Sequence, residues 1–190
     1  MGFESLPRSL NVRAKLLTLT LVVLLGAGIA ACGDDDSAEG ETAATPAPAE
    51  APVAPNTDAI AAGIGENTKK EPKIVKPEGD PPADLVTKDV VKGKGPKAKA
   101  GDRLTMQYVG VSWSTGEKFD ASWDRGEPFP FQLGAGMVIP GWDQGMVGMR
   151  KGGRRLLVIP PDLGYGEAGA GGVIGPNETL IFAVDLKKIN

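Results

Sequence analysis

The chain of 190 residues has no histidine and a single cysteine, Cys32. The first absence removes Ser-His-Asp and Cys-His catalysis and every imidazole metal ligand. The second removes intrachain disulfides and thiolate zinc clusters. With no nucleophile elbow either, a conventional hydrolase is excluded. Aromatic residues are scarce, 5% of the chain, and unevenly placed. All three Trp, both Tyr and four of the five Phe lie after residue 107, and residues 33–80 contain none. Only the last ~110 residues have the means to build a core, a comfortable size for one domain. The net charge of −3 offers no basic footprint, so nucleic acid is not an expected partner.

What is present begins with a targeting pattern. Arg8, Arg13 and Lys15 precede an apolar run from Leu16 to Ile29, and the small residues Ala30 and Ala31 come before Cys32. The run is shorter than the ~20 residues a membrane span needs, so residues 1–31 read as a secretory signal peptide. The stretch Ile29-Ala30-Ala31-Cys32 resembles a bacterial lipobox, which implies that Cys32 is the lipidated first residue of the mature protein. An uncleaved anchor, or a plain signal with an incidental cysteine, is the alternative. Acyl chains on Cys32 would hold the protein to a membrane through a lipid anchor, outside the cytoplasm at the cell envelope. Residues 32–72 read as a low-complexity linker, with Ala-Pro alternation favouring extended chain. Its run Asp34-Asp35-Asp36 reads as a solvated charge cluster and not as a metal site.

Residues 73–190 form the expected domain, with a core at 83–190. Lys73-Ile74-Val75 is either an added edge strand or the end of the linker. Leu85 to Val91 alternates weakly and stops at Gly93-Lys94-Gly95-Pro96. Leu104, Met106 and Tyr108 share one face of a strand that ends at the turn Ser114-Thr115-Gly116-Glu117. Phe129 and Phe131 alternate around Pro130, which confines that segment to a sheet edge or an irregular stretch. Arg154 to Ile159 reads as a strand, and Leu163 to Pro176 as a long Gly-rich loop carrying Tyr165 and Ile174. Leu180, Phe182, Val184 and Leu186 alternate cleanly, giving a strand with one face in the core. Between these lies VIPGWDQGMVGM, Val138 to Met149. Trp142, Met146 and Met149 recur at i, i+4, i+7, with Val147 alongside, and predict a helix of two or three turns stopped by Gly152-Gly153. Such a helix is too short to stand alone and needs a wrapper. The expected fold is α+β, a twisted antiparallel sheet of about five strands half-wrapped around one short helix.

Many short motifs then fall in one order: Tyr108, Gly116-Glu117-Lys118-Phe119-Asp120-Ala121-Ser122, Pro128-Phe129-Pro130-Phe131, Val138-Ile139-Pro140-Gly141-Trp142, Ile159-Pro160-Pro161, Gly164-Tyr165-Gly166 and Leu180-Ile181-Phe182. Over about residues 83–190 the chain resembles the FKBP family of peptidyl-prolyl cis-trans isomerases. The resemblance implies a shallow apolar active site in which Tyr108, Asp120, Trp142, Tyr165 and Phe182 are catalytic. Phe119, Arg125, Phe129, Val138, Ile139 and Ile174 would bind substrate. Trp142 would be the floor beneath the proline ring, and the Ile139 N–H and Tyr165 hydroxyl would donate to ligand carbonyls. Taken singly, Trp142, Phe119 and Phe182 are also ordinary core aromatics, and Asp120 is also a turn cap or a partner for Arg125. The loop tip Ala168-Gly169-Ala170-Gly171-Gly172 departs from members that carry bulkier or polar residues there, which bears on affinity and substrate preference.

The chemistry suits a site without histidine. Rotation about an X-Pro bond crosses a barrier of about 18–20 kcal/mol set by amide resonance, and no bond or proton need move. The twisted amide is less zwitterionic than the planar one, so a water-poor aromatic pocket favours it. The expected function is isomerisation of X-Pro bonds in secreted or envelope proteins as they fold, with proline-containing polypeptides as substrates and macrolides as further ligands. No cofactor is called for, and a monomer is expected. The alternative is a membrane-tethered proline-segment binding module or chaperone with little turnover.

Overall fold

The structure, a computed structural model, describes residues 56–190. The signal peptide, Cys32 and the linker up to residue 55 lie outside the described residues. Six strands form one antiparallel sheet: β1 (Val86–Val91), β2 (Arg103–Ser112), β3 (Lys118–Ala121), β4 (Phe129–Gln132), β5 (Arg154–Ile159) and β6 (Leu180–Ile189). Their order is β1-β5-β6-β2-β3, and β4 also pairs β2. Pro130 faces Thr105 of β2, so the proline sits on an edge strand, as its missing N–H demands.

The central pair β2 and β6 sets the geometry of the site. Gly110 lies opposite Phe182 and Tyr108 opposite Val184, so the two strands deliver aromatic side chains to the same concave face. There Leu104, Met106, Tyr108, Leu157, Ile159, Phe182, Val184 and Leu186 form the main core with Trp142, Met146 and Met149. Burial of each Met contributes about 1.5–3 kcal/mol. The helix that carries Trp142, Pro140–Gly145, is shorter than the sequence pattern predicts. Met146 caps it, with its N–H donating to the Trp142 carbonyl at 3.0 Å, and Gly148 at φ +77° turns the chain away. Val147 is therefore exposed instead of joining the apolar face. The helix can lie close on β5 because Gly141 and Gly145 carry no side chain. A Cβ at Gly145 would stand 2.8 Å from Leu157 Cδ2.

The opposite face of the sheet corrects two expectations. A first helix, α1 (Thr57–Gly63), lies where the sequence reading placed linker; the Trp142 helix is hereafter α2. Asn56 caps α1 by accepting from the Ala59 N–H at 3.0 Å. Ile60, Ala61 and Ile64 pack with Trp113, Leu156, Val158, Ile181 and Ala183 on the convex face. Ile60 and Ile64 stand at i, i+4, one helical face, but the surrounding Ala- and Pro-rich composition masks that spacing. Residues 64–80 then cross the sheet without forming a strand. Ile74 tucks against the convex clusters, while Val75 is exposed. With this cover in place, β6 is buried on both faces from Leu180 to Leu186, not on one.

Buried Arg154 fastens the crossing segment. Its guanidinium donates to Asp185 at 2.6 and 2.8 Å, to the Gly65 carbonyl at 3.0 Å and to the Lys70 carbonyl at 2.8 Å. Lys187 donates to the Thr68 carbonyl, and the Trp113 indole to the Gly79 carbonyl at 3.2 Å.

Candidate active site

Four strands, one helix and two loop segments converge on a cavity of about 250 Å³ on the concave side. β2 supplies Tyr108, β3 supplies Phe119 and Asp120, β4 supplies Phe129, and β6 supplies Phe182. The approach to α2 supplies Met137, Val138 and Ile139, α2 itself supplies Trp142, and the Gly-rich loop supplies Tyr165. Trp142 is almost wholly buried beneath them. Its ring stands edge-on to Tyr108 at 5.1 Å and 87° and to Phe182 at 5.3 Å and 85°. Phe129 is 6.1 Å away at 80°, and Phe119 meets Phe182 at 5.5 Å and 87°. Edge-to-face contacts suit the ring quadrupoles and fix each plane against its neighbours. The indole Nε1 of Trp142 has no hydrogen-bond partner among the described residues. Its position therefore rests on packing.

One polar network occupies the rim. The Tyr108 hydroxyl donates to Asp120, and Arg125 donates to Asp120 at 2.5 Å and to the Tyr108 hydroxyl at 2.8 Å. Burial, followed by the hydrogen bond to Asp120, pushes the Tyr108 phenol up to about 12. Tyr165 is also raised, by burial and then by the negative charge of Asp120. Both phenols thus stay protonated, as donors, at neutral pH. Behind the wall, Ser122 accepts from the Tyr108 N–H at 2.8 Å and donates to Gln107, which locks β2 to the start of the following turn.

Tyr108, Phe119, Asp120, Phe129, Val138, Ile139, Trp142, Tyr165 and Phe182 are brought together as the sequence reading expects. Arg125 and Ile174 are not in the lining. Arg125 stands behind Asp120 and Tyr108, over the Tyr108 ring at 5.6 Å. Ile174 is buried in the main core, and it ties the loop tip through reciprocal bonds with Ala170 at 3.0 Å each. Met137 lines the cavity and was missed. The only sequence signal for it was an exposed-type Gly-Ala-Gly loop ending in a flexible apolar side chain next to Val138.

The model of the FKBP-type peptidyl-prolyl cis-trans isomerase family matches residues 95–187. An FK506-binding protein of Streptomyces anulatus is 59% identical over 118 residues, covering 62% of this chain and 95% of that relative. The chain belongs to the FKBP family. A probable FK506-binding protein of Corynebacterium glutamicum is 44% identical over 117 residues, which are 62% of this chain and 97% of the relative. Among solved structures, AtFKBP13 superposes with a TM-score of 0.53 at 39% identity, over 58% of this chain and 96% of its own. FkpA from Escherichia coli gives 0.52 at 45% identity, over 56% of this chain and 48% of its own. The FKBP-like antiparallel sheet with α2 against it is the architecture that the motif order implies, with six strands where the sequence reading expects about five, and the protein is a peptidyl-prolyl cis-trans isomerase by family. FKBP chemistry needs no base or nucleophile, so the aromatic cage can serve it without histidine.

Proposed function

We propose that this isomerase turns X-Pro bonds of secreted or envelope proteins, with the cavity over Trp142 as its active site. The observation that carries the reading is the cage itself: Tyr108, Phe129 and Phe182 stand near-perpendicular to the ring of a buried Trp142, with a polar network at the rim. In this reading the pyrrolidine ring rests on Trp142 and displaces water, which raises the cost of the polar planar amide relative to the twisted one. Val138, Ile139 and Met137 form one wall, and Phe119 and Phe182 the other. The Tyr165 hydroxyl and the Ile139 N–H orient the chain, so that little freedom is lost at the moment of rotation. Arg125 and Ile174 act from behind, one by holding Asp120 and Tyr108, the other by holding the loop. The same cavity would accept macrolides, since a rigid apolar ring system matches its lining.

The envelope setting rests on the sequence of residues 1–32. Basic, apolar and small residues followed by Cys32 describe a lipidated export signal, and the remainder of the linker would tether a monomeric domain to the membrane. A protease-coupled assay on an X-Pro peptide tests the activity. Turnover above the uncatalysed rate that is lost with Phe182→Ala, in protein that stays folded, supports the cage. Turnover that survives both Phe182→Ala and Tyr165→Phe moves the site elsewhere. Suppression of aggregation without turnover favours the binding-module alternative. For the anchor, Cys32→Ser should shift the protein from the membrane to the soluble fraction, and unchanged partitioning refutes lipidation.

A further inference from the structure

A second cavity, of about 480 Å³, opens beside the first and shares Phe119 as a wall with it. Its far side is the Ser112–Lys118 turn and its lid the loop through Val173 and Glu178. We infer that this groove receives the substrate residues flanking the proline, and that Glu178 and Glu117 make it select a lysine or arginine there. The inference rests on the placement of the active site over Trp142.

Continuity names the occupant. A polypeptide with its proline over Trp142 must leave the cage, and a chain passing Phe119 enters this groove. Phe119, which walls both cavities, is two ring contacts from Trp142, 5.3 Å to Phe182 and 5.5 Å on to Phe119, and extended chain advances ~3.3 Å per residue, so the groove is reached about three residues from the proline. The charge balance names the preferred side chain. Glu178 is held in one pose, its carboxylate accepting from the Ser114 N–H at 2.9 Å and the Ser114 hydroxyl at 2.7 Å. Neither Glu178 nor Glu117 forms an ion pair among the described residues. The one cation of the lining, Lys118, is drawn outward to Asp124 at 2.7 Å and Glu71 at 3.3 Å. The groove therefore carries uncompensated negative charge beside an exposed apolar side chain, Val173. A lysine or arginine fits both features, its stem on Val173 and its head at the carboxylates.

The test is kcat/KM of the full chain on otherwise identical X-Pro peptides bearing Lys, Ala or Glu within three residues on either side of the proline. The Lys peptide should exceed the Glu peptide by roughly two- to five-fold on one side, the size of a partly exposed ion pair. That ratio should shrink in high salt and reverse in Glu178→Lys. Inversion separates a specificity role from a structural one, because a merely damaged groove would slow all peptides alike. Turnover of the Ala peptide with equal Lys and Glu rates in the wild type, or an unaltered ratio in Glu178→Lys, overturns this inference and leaves the active site standing. Failure on the Ala peptide itself sinks the active-site placement and this inference with it.

Discussion

Tyr108 of β2 donates its hydroxyl proton to Asp120 of β3, so the two strands are joined at the rim of the cage by side chains as well as by their ladder. Arg125 completes the triangle. The phenol is thus both a wall of the pocket and the link that fixes β3, with Phe119 on it, against Trp142.

Tyr108→Phe should keep the wall and break the link. A hydrogen bond to a charged group contributes about 1.5–3 kcal/mol net, so destabilisation of about 2 kcal/mol is expected by urea titration. The kcat/KM should fall about tenfold, since 1.4 kcal/mol of lost transition-state orientation corresponds to that factor. Wild-type activity in this variant would remove the network from the reaction.

The same pair sets a pH response. Tyr108 is raised from 10.0 to about 12, so the folded state holds its phenolic proton more tightly than the unfolded state does. Its contribution to stability is fully present below pH 10 and is lost as pH climbs through about 12. Absorbance titration should show a phenolate step near 12 that disappears in Tyr108→Phe. A step at the ordinary tyrosine value for both of the chain's two tyrosines would contradict the buried network.

Trp142→Phe asks whether the floor matters as surface or as scaffold. The indole N–H has no partner among the described residues, so the substitution forfeits packing alone. A loss of about 1–3 kcal/mol in stability is expected, less than the 3–5 kcal/mol of a Trp→Ala change. A larger fall in kcat/KM than stability explains, measured well below the melting temperature, assigns Trp142 to the pocket. Equal activity returns it to the core.

These effects trace how much the sequence disclosed. Period-two alternation at Leu180 to Leu186 and the i, i+4, i+7 set at Trp142 were legible because each element repeats its own apolar spacing. The cage residues followed from motif order, since periodicity assigns the face of a strand but not which aromatics of different strands meet. Arg125 and Ile174 could not be placed from sequence, because a motif position does not tell whether a side chain lines a cavity or braces the residue that does. Helix α1 was hidden by composition: its two isoleucines are diluted by alanine, and their partners, Leu156 and Ile181, lie about a hundred residues on.

That hidden segment carries its own prediction. A protein cut to 83–190 would expose Trp113, Leu156, Val158 and Ile181, and would leave the Arg154–Asp185 pair without its carbonyl cover. It should melt well below residues 56–190 or aggregate. Within the longer chain, Arg154→Met leaves buried Asp185 with only the long Lys187 contact at 3.7 Å, at a cost of up to about 3–5 kcal/mol. The double change Arg154→Met with Asp185→Leu should recover much of that loss. Matching melting temperatures for the two lengths would make residues 56–82 dispensable.

Gly110 offers the sharpest separation of site from scaffold. It faces Phe182 across the β2–β6 ladder, and a Cβ there would stand 2.6 Å from Phe119 Cζ and 2.8 Å from Phe182 Cε1. Both rings belong to the cage, so Gly110→Ala must displace at least one of them. Overpacking of this kind costs about 1–3 kcal/mol of stability. Its larger effect should fall on kcat/KM, roughly tenfold or more, because a displacement of about 1 Å in a positioning residue is enough to spoil the fit. Adding Phe119→Leu removes the nearer clash. The pair should regain stability over Gly110→Ala alone while activity stays low, since one aromatic wall is then missing. Stability that does not recover would mean that the ring contacts are not what Gly110 protects.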